Sequence, residues 1–448
     1  MRPFLLLTFL ESQFFMRIDN LNLVYKMLAN GANVQIDSRI ISKGDIFIAL
    51  KGDNFDGNQF AKKALTEGAG IAVVDNAIYA NGDNILFVEN SLLFLQDLAN
   101  YHRQQLNIPV IGLTGSNGKT TTKELVCAAL SAKFNVLATK GNLNNHIGVP
   151  LTLLSITKEH QIAIVEMGAN HIGEIATLCS IAMPTHGLIT NIGRAHLDGF
   201  GSFEGVIKAK TELYGFLQKT NGIVFYNASN KILKKSIKQF ELDQNSVEYG
   251  VEKNNAVVNL GHDSCISVAF AFNGANLNIN TNLTGIYNLE NVLAAYTIAK
   301  FFDIPDNDIV SSLESFLPTN SRSQLIEKGS NVIVLDAYNA NPSSMDAALQ
   351  SFSEIETEKT SVVLLGNMLE LGSFTEEEHE KVVDLCLQLK FDKVILVGDN
   401  YPKNRKGTIW FSSVFNCAEY LKTNPLTNST ILLKGSRGAK MEGLLDYL

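Results

Sequence analysis

Cysteine is scarce in this chain, and the few cysteines lie far apart. There are five among 448 residues, and none has the Cys-x-x-Cys spacing of a zinc site or a redox motif. The sequence therefore predicts neither a disulfide framework nor a structural zinc site. Cysteine usage of this kind is typical of a protein from a reducing compartment.

Basic residues are not in excess either. Lysine and arginine total 37 against 45 aspartates and glutamates, which gives a formal net charge of -8. This balance argues against a nucleic-acid-binding surface and against binding to an anionic membrane. It still allows a local basic pocket for an anionic metabolite.

Long apolar runs are also missing. The run Phe4 to Leu10 ends at Glu11 without a small-residue cleavage site, so no signal peptide is predicted. No segment reaches the ~20 apolar residues that a membrane-spanning helix needs. We expect a cytoplasmic monomer without a membrane partner. Residues 1–15 are either an over-extended start before Met16 or a frayed tail.

The apolar residues that are present suffice for several cores. At 46% hydrophobic content and 448 residues, the chain is expected to form roughly three domains. Short β-like runs predict a small N-terminal α/β module at 16–97, and alternating strands and helices predict a central P-loop-type, mostly parallel sheet at 98–317. After an expected hinge at Pro318 to Ser321, the alternation restarts and predicts a C-terminal Rossmann-like sheet at 318–448.

Apolar periodicity gives the expected elements of this three-domain α/β fold. Helical stretches are expected at 59–67, 203–217 and 288–302. The expected strands are 45–50, 71–74, 85–88, 108–113, 162–165, 188–190, 331–335, 361–365, 393–397 and 430–433.

A glycine-rich turn between a strand and a helix is the most informative motif. Its glycines let N–H groups turn toward an anion, Lys119 supplies a cation, and the Thr120 hydroxyl suits Mg²⁺. The first glycine of a strict P-loop would fall at Leu113, so a merely structural turn is the alternative. The apolar spacing of the following helix favours a nucleotide site. The candidate phosphate-binding residues are Gly115, Ser116, Asn117, Gly118, Lys119, Thr120 and Thr121.

Two side chains follow the next apolar strands. Glu166 ends the run 162–165, and because ligands bind at the carboxyl ends of strands in open α/β sheets, it is a candidate Mg²⁺ ligand. The alternative is a solvated strand-end glutamate. His196 follows the strand after it and is a candidate second ligand, although histidine prefers softer metals.

Other candidates have weaker support from the residues alone. Lys208 and Lys210 fit a solvated helix face, and Asn288 fits a helix N-cap. The alternative for Asn288 and Asn291 is that their amides bind a base or a metal-bound water. Arg322 and Asp336 could reach a nucleotide between domains.

The chain also contains several longer strings: Gly168 to Asn170, Gly173 to Ile175, His196 to Ser202 (HLDGFGS), Asp336 to Pro342 (DAYNANP), Gly366 to Gly372 (GNMLELG) and Lys434 to Arg437 (KGSR). Together these strings resemble the Mur ligase superfamily of ATP-dependent amide-forming enzymes, over residues 21–448. Asn367 departs from the family pattern, because an aspartate is expected there, and only a local hydrogen bond depends on it.

The resemblance implies roles at the phosphate end of ATP. Lys119 would bind the β- and γ-phosphates, and Thr120 and Glu166 would hold one Mg²⁺. His196 would help to hold a second Mg²⁺. Lys210 matches the lysine that such enzymes carbamylate, which reverses the solvated interpretation because a carbamate is an oxygen ligand.

The resemblance also implies the contacts to the rest of the substrates. Asn288 and Asn291 match adenine-side asparagines, Arg322 a residue near the γ-phosphate, and Asp336 the ribose contact. The elements expected to bind the uridine nucleotide contain Ser38, Arg39, Asp56 and Gly57.

The strings are closer to the members that join D-alanyl-D-alanine to UDP-N-acetylmuramoyl-tripeptide through an acyl phosphate. Another amino-acid ligase of the superfamily, adding the third peptide residue or extending folylpolyglutamate, is the first alternative. A non-catalytic muropeptide-binding homologue is the second, since fold does not fix function. The retained Lys119, Glu166, His196 and Lys210 argue against it.

Overall fold

The computed structural model describes residues 19–261, 265–318 and 322–448. The alternatives for residues 1–15 and the hinge residues 319–321 lie outside this part of the chain. Internal contacts distinguish two compact units. One consists of the residues up to Gly112 with Leu137–Met167 and Ala176–Thr185, and the other of Leu113–Val136, Gly168–Ile175 and His186–Leu448. The boundaries predicted at 97/98 and 317/318 remain predictions.

The N-terminal segment contains a parallel sheet of order β1-β2-β5-β6. Its core is formed by buried side chains such as Phe47, Ala72 and Val74, which pack against helix Ala61–Thr66. Helix Ser91–Gln105 begins after Asn90, whose side chain accepts from the Leu93 N–H at 2.9 Å. The strands are β1 Val34–Gln35, β2 Ile46–Ile48, β5 Ile71–Val74 and β6 Ile85–Phe87, with the ribbon β3 Lys51–Gly52 and β4 Phe55–Asp56.

The central sheet has six strands in the order β12-β11-β10-β7-β9-β8. Its middle strands are continuous apolar runs buried along their length, as expected where helices cover both faces. The strands are β7 Val110–Thr114, β8 Val136–Ala138, β9 Ile162–Glu166, β10 His186–Ile189, β11 Ile223–Asn227 and β12 Ser246–Tyr249. The helices are Lys119–Ser131, Gly148–Leu154, Glu174–Ala182, Leu197–Phe200, Phe203–Thr220 and Lys231–Gln239.

A three-stranded antiparallel sheet follows, which the sequence analysis did not predict. It consists of β13 Val257–Leu260, β14 Cys265–Phe272 and β15 Ala275–Thr284. Asn273 and Gly274 join the last two strands with φ of 49° and 87°. Positive φ at both turn residues is the geometry that Asn-Gly favours in a tight hairpin. Helices Asn288–Phe301 and Asp306–Glu314 come next.

The C-terminal segment has a six-stranded sheet of order β16-β17-β21-β18-β19-β20, parallel except for β16. Alternate residues of its central strand face two cores, with Val363 and Leu365 in one and Val362 and Leu364 in the other. The strands are β16 Gln324–Lys328, β17 Asn331–Asp336, β18 Thr360–Gly366, β19 Lys393–Val397, β20 Ile409–Phe411 and β21 Ser429–Lys434, and the helices Pro342–Ser353, Thr375–Leu389 and Val414–Thr423.

These sheets confirm the predicted α/β fold class. Each predicted strand is present, with ends within two residues of those expected, and 71–74 and 393–397 have the predicted bounds. No helix in the described part of the chain is both long enough and apolar enough to cross a bilayer.

Candidate functional site

The predicted phosphate loop connects β7 to helix Lys119–Ser131 and depends on two glycines. Gly115 has φ of 147° and Gly118 has φ of 74°, values that L-residues with side chains rarely adopt. A Cβ on Gly115 would overlap the Thr190 hydroxyl, and one on Gly118 would lie 2.8 Å from Oδ1 of Asn291. The loop therefore brings its backbone close to neighbouring side chains at both glycines.

The segment after β10 fixes the shape of this loop. The Ser116 hydroxyl donates to the Gly193 carbonyl at 3.0 Å and accepts from the Gly193 N–H at 2.9 Å. The Asn117 N–H donates to Oδ1 of Asn191 at 3.0 Å. The loop is thus held on its neighbouring segment by backbone and side-chain hydrogen bonds.

Lys119 is the first residue of the helix and folds back over the loop. Its Nζ donates to the carbonyls of Gly115 at 2.8 Å and Ser116 at 3.2 Å. The helix N-terminus adds positive potential at the same place. The loop, the ammonium group and the helix end together form an arrangement suited to an anion.

Lys210 is buried, with 1% of its surface exposed, in helix Phe203–Thr220. Its Nζ donates to the Ala169 carbonyl at 3.4 Å and lies 5.4 Å from the centre of the Phe200 ring. Burial, and next the positive charge of Lys119, lower the pKa of Lys210 to about 7. The solvated-face interpretation is wrong for Lys210 and correct for Lys208, which is exposed.

Glu166 ends β9 and is 1% exposed, which excludes the alternative of a solvated glutamate. Its Oε1 accepts from Nδ2 of Asn144 at 2.8 Å. Its N–H donates to the Thr139 hydroxyl at 2.9 Å. The carboxylate is therefore held in place by the segment that follows β8.

Asn288 and Asn291 form a buried amide pair. The N-cap interpretation of Asn288 is wrong, because the helix begins at Asn288 itself and Tyr287 occupies the cap position. Oδ1 of Asn288 instead accepts from Nδ2 of Asn291 at 2.7 Å, and Oδ1 of Asn291 accepts from the Thr122 hydroxyl at 2.9 Å. Nδ2 of Asn288 donates to the Ser323 hydroxyl at 3.2 Å. The pair thus connects the phosphate-loop helix to the start of the C-terminal segment.

Arg322 and Asp336 also belong to the start of the C-terminal segment. The guanidinium carbon of Arg322 lies 3.6 Å from the centre of the Tyr338 ring, which is a stacking distance. Asp336 accepts a 2.5 Å hydrogen bond from Nζ of Lys434, whose side chain is 2% exposed. Lys434 belongs to the KGSR string and had no predicted role.

His196 has φ of 52°, and its Nδ1 contacts a carboxylate oxygen of Glu370. This interaction with the imidazole lowers the pKa of the Glu370 carboxyl. The sequence analysis noted the GNMLELG string that contains Glu370 but did not connect it with His196.

Arg194 connects the central and C-terminal segments, and its role was also missed. Its N–H donates to the Ser343 hydroxyl at 2.7 Å. Its guanidinium donates to Asp346 at 3.2 Å and lies 3.4 Å from a carboxylate oxygen of Glu378, which is 4% exposed. Burial raises the pKa of Asp346. The DAYNANP string, which ends just before Ser343, was the available signal.

Asn367, where an aspartate was expected, is the local exception. Within the described residues its buried Oδ1 has no hydrogen-bond partner, while its carbonyl accepts from the Ser436 N–H at 3.2 Å.

The predicted uridine-nucleotide residues lie in the other compact unit. Ser38 is buried, whereas the Arg39 guanidinium is exposed and pairs with Asp37 at 2.6 Å. Asp56 accepts from the Asn58 N–H at 3.0 Å, and a Cβ on Gly57 would overlap the backbone of a neighbouring residue. A cavity of about 340 Å³ in this unit is lined by Leu50, Lys51, Asp75, Glu89, Asn90, Leu92, His146 and Ile147.

Three family models match consecutive parts of the chain. Residues 32–111 match "Mur ligase family, catalytic domain", residues 113–299 match "Mur ligase middle domain", and residues 321–437 match "Mur ligase, glutamate ligase domain". The three matches follow one another along the chain as the N-terminal, central and C-terminal sheets do.

Curated relatives and solved structures extend the similarity to almost the full length. The UDP-N-acetylmuramoyl-tripeptide--D-alanyl-D-alanine ligases of Escherichia coli and Bacillus subtilis are 34% and 32% identical, over 93% of this chain and 93% and 92% of theirs. MurF of Acinetobacter baumannii matches with a TM-score of 0.82 at 30% identity, covering 92% of both chains. MurF of Thermotoga maritima in complex with ADP matches with a TM-score of 0.83 at 28% identity, covering 94% of this chain and 97% of that one. The chain belongs to the Mur ligase family.

Proposed function

We propose that this protein is an ATP-dependent ligase that joins D-alanyl-D-alanine to UDP-N-acetylmuramoyl-tripeptide in peptidoglycan precursor synthesis. The observation that carries the proposal is the phosphate loop with Lys119 beside the buried Lys210. The full-length similarity to ligases named for this reaction supports the choice of substrates.

The reaction has two steps. The terminal carboxylate of the tripeptide attacks the γ-phosphorus of ATP, which forms an acyl phosphate and releases ADP. The amino group of D-alanyl-D-alanine then attacks the acyl carbon, loses a proton and displaces inorganic phosphate. Because both steps bring anions together, the protein needs positive charge and accurate positioning more than it needs a covalent nucleophile.

Each candidate residue near the phosphate loop has a role in this scheme. Lys119 neutralises charge that develops on the β- and γ-phosphates, and Arg322 approaches the γ-phosphate from its position over Tyr338. The backbone N–H groups around Gly115 and Gly118 line the phosphate cradle. The loop and helix N-terminus are already shaped for ATP.

The remaining groups hold the rest of the substrates. Asn288 and Asn291 bind the adenine side of ATP, and Asp336 binds the ribose. Ser38, Arg39, Asp56 and Gly57 bind the uridine nucleotide.

The donor residues fit Mg²⁺ by their chemistry. The Thr120 hydroxyl and the buried Glu166 carboxylate supply oxygen atoms, which Mg²⁺ prefers. No group of three or more histidine, cysteine, aspartate or glutamate side chains in the described chain could form a complete cage. Mg²⁺ commonly keeps waters and phosphate oxygens as ligands, so the support for it is the oxygen chemistry of Thr120 and Glu166 alone. When bound, it would neutralise phosphate charge, with His196 helping to hold a second ion.

Lys210 is proposed to act as a carbamate. An ammonium group would repel a neighbouring cation, whereas a carbamate is an anionic oxygen ligand. Only the neutral amine reacts with CO₂, and a lysine with a pKa of about 7 is substantially neutral at physiological pH. An exposed lysine with an ordinary pKa would be almost fully charged.

We place the reaction in the cytoplasm, where ATP and nucleotide-activated sugars are available. We also propose that the protein acts as a monomer.

The experiment that tests the proposal measures phosphate release from ATP with purified UDP-muramoyl tripeptides and a panel of amines. Turnover is expected with D-alanyl-D-alanine and should be poor with free amino acids. Tripeptides ending in meso-diaminopimelate and in lysine are compared in parallel to identify the third residue. Turnover with a free amino acid on a shorter UDP-sugar peptide, and none with D-alanyl-D-alanine, would assign the chain to the ligase that adds the third residue.

A further inference from the structure

The loop 366–372 of the C-terminal segment packs against the residues that follow β10. The Glu370 carbonyl accepts from the Asp198 N–H at 3.4 Å. Gly372, with φ of 55°, lies so close to Asp198 that a Cβ would overlap its carboxylate. The two stretches are therefore in close contact, through one backbone hydrogen bond and through the Asp198 side chain packed against Gly372.

The two residues whose side chains meet at this contact both have a left-handed backbone conformation. His196 has φ of 52° and Glu370 has φ of 61°. Histidine adopts this conformation more readily than most residues, whereas for glutamate it is uncommon and costs free energy. Here the backbone conformation at both positions accompanies a contact between Nδ1 of His196 and the Glu370 carboxylate.

The C-terminal core holds Glu370 in this position. Nε2 of the fully buried His379 accepts from the Met368 N–H at 3.0 Å, and its Nδ1 lies 2.7 Å from the Thr375 carbonyl. The Leu369 N–H donates to the Ser436 hydroxyl at 3.2 Å. The loop is therefore fixed on both sides of Glu370 before it meets His196.

We propose that Glu370 is the positioning residue of His196. Its carboxylate accepts the proton on Nδ1, which fixes the imidazole in the tautomer whose Nε2 lone pair is available as a ligand or acceptor. The inference rests on the proposed function, in which His196 acts through that lone pair. Because Glu370 belongs to the C-terminal segment, His196 becomes competent only when this segment is packed against it.

The test observes the tautomer directly, by NMR of the full-length protein with ¹⁵N-labelled histidine, at about pH 8, where an ordinary imidazole is neutral. The His196 signals are those lost in His196→Gln. Wild type and Glu370→Gln, whose amide oxygen still accepts, should show the Nδ1–H form. Glu370→Ala and Glu370→Gly should shift toward the Nε2–H form. Glycine adopts the left-handed conformation of position 370 without a steric penalty, so Glu370→Gly removes the carboxylate without adding backbone strain.

Activity provides the second measurement. Replacement of groups that orient a ligand typically costs about 10- to 100-fold, so kcat should fall by about that factor in Glu370→Ala and Glu370→Gly. Glu370→Gln should stay within about threefold, and the exposed Glu376→Ala serves as the matched control. If the His196 tautomer is unchanged in Glu370→Ala and Glu370→Gly while His196→Gln is inactive, the role of Glu370 is overturned and the proposed function is not. A fully active His196→Gln would contradict the proposed role of His196 itself.

Discussion

The side-chain amide of Asn341 donates a 2.7 Å hydrogen bond to Oδ1 of Asn117, 224 positions earlier in the chain. Asn117 belongs to the phosphate loop, and Asn341 caps helix Pro342–Ser353 in the C-terminal segment. The conformation of the loop therefore depends on the position of that helix. We expect ATP binding and the packing of the C-terminal segment to be thermodynamically coupled.

Asn341→Asp should raise the KM for ATP by about tenfold and lower the Tm by less than Asn341→Ala does. An aspartate still caps the helix, but its carboxylate cannot donate a hydrogen bond to Asn117. Loss of this partly buried hydrogen bond costs roughly 1–3 kcal/mol, which is consistent with that factor. Steady-state kinetics and a thermal melt provide the two measurements.

Asn341→Ala is the matched comparison, because it removes both the cap and the donor. It should raise the KM for ATP similarly but lower the Tm further, since a lost N-cap costs about 1 kcal/mol. An unchanged KM in the aspartate variant would show that the loop does not depend on this bond.

Lys119→Ala should lower kcat by about 100-fold or more. The variant removes the cation nearest to the developing phosphoryl charge, and loss of one preorganised charge-stabilising group has effects of this size. Binding of the UDP-sugar peptide, measured by calorimetry, should survive because its predicted contacts lie elsewhere in the chain. Turnover within threefold of wild type would invalidate the phosphate-loop assignment.

The sequence was most informative where a feature is local. The glycines, lysine and hydroxyls of the phosphate loop are adjacent, and glycine is the residue type that allows the positive φ found at Gly115 and Gly118. A local signal was also overlooked at Asn273 and Gly274, which lie between two alternating runs and indicate a hairpin. A mostly parallel sheet had been expected for this domain, and no strand had been predicted at these positions.

The contacts that complete the site could not be predicted, because they join distant positions. The hydrogen bond of Asn341 to Asn117 and the contact of Glu370 with His196 depend on how the C-terminal segment packs. Lys210 is different, because its spacing from Val206 and Leu213 places it on the buried face of its helix. The solvated interpretation followed residue type instead of this spacing. The N-cap prediction for Asn288 was wrong for a different reason. Its residue type favours a helix N-cap, but its side chain instead hydrogen-bonds to Asn291 and Ser323.

His186 should make the protein less stable at mildly acidic pH. Burial beside phenylalanine rings lowers its pKa to about 4, whereas an unfolded histidine titrates near 6.5. As the pH falls from about 7 to about 5, the unfolded chain therefore binds a proton that the folded protein excludes, and stability is lost. Proton linkage predicts that the free energy of unfolding falls by about 2 kcal/mol over this pH range.

His186→Phe removes the titrating group and keeps an aromatic ring in the pocket. Urea unfolding at several pH values should show a smaller loss of stability on acidification than in wild type. The exposed His146→Gln should retain the wild-type pH dependence. Equal pH dependence in wild type and His186→Phe would exclude His186 as the source.

Lys210→Ala should lower kcat strongly, by about 100-fold, because it removes the proposed carbamate ligand. The exposed Lys208→Ala, on the same helix, should remain as active as wild type. Full activity of Lys210→Ala would show that the lysine is only a buried helix residue.

Small carboxylates provide the sharper test of the carbamate. Replacing the buried Lys210 side chain by alanine leaves a hole, and the missing group is an anionic oxygen ligand. Acetate or formate at high concentration should enter that hole and restore part of the activity of Lys210→Ala. The same salts should not restore Lys119→Ala, since a cation is missing there. Rescue of both variants would indicate a general salt effect, and rescue of neither would count against a carbamate at Lys210.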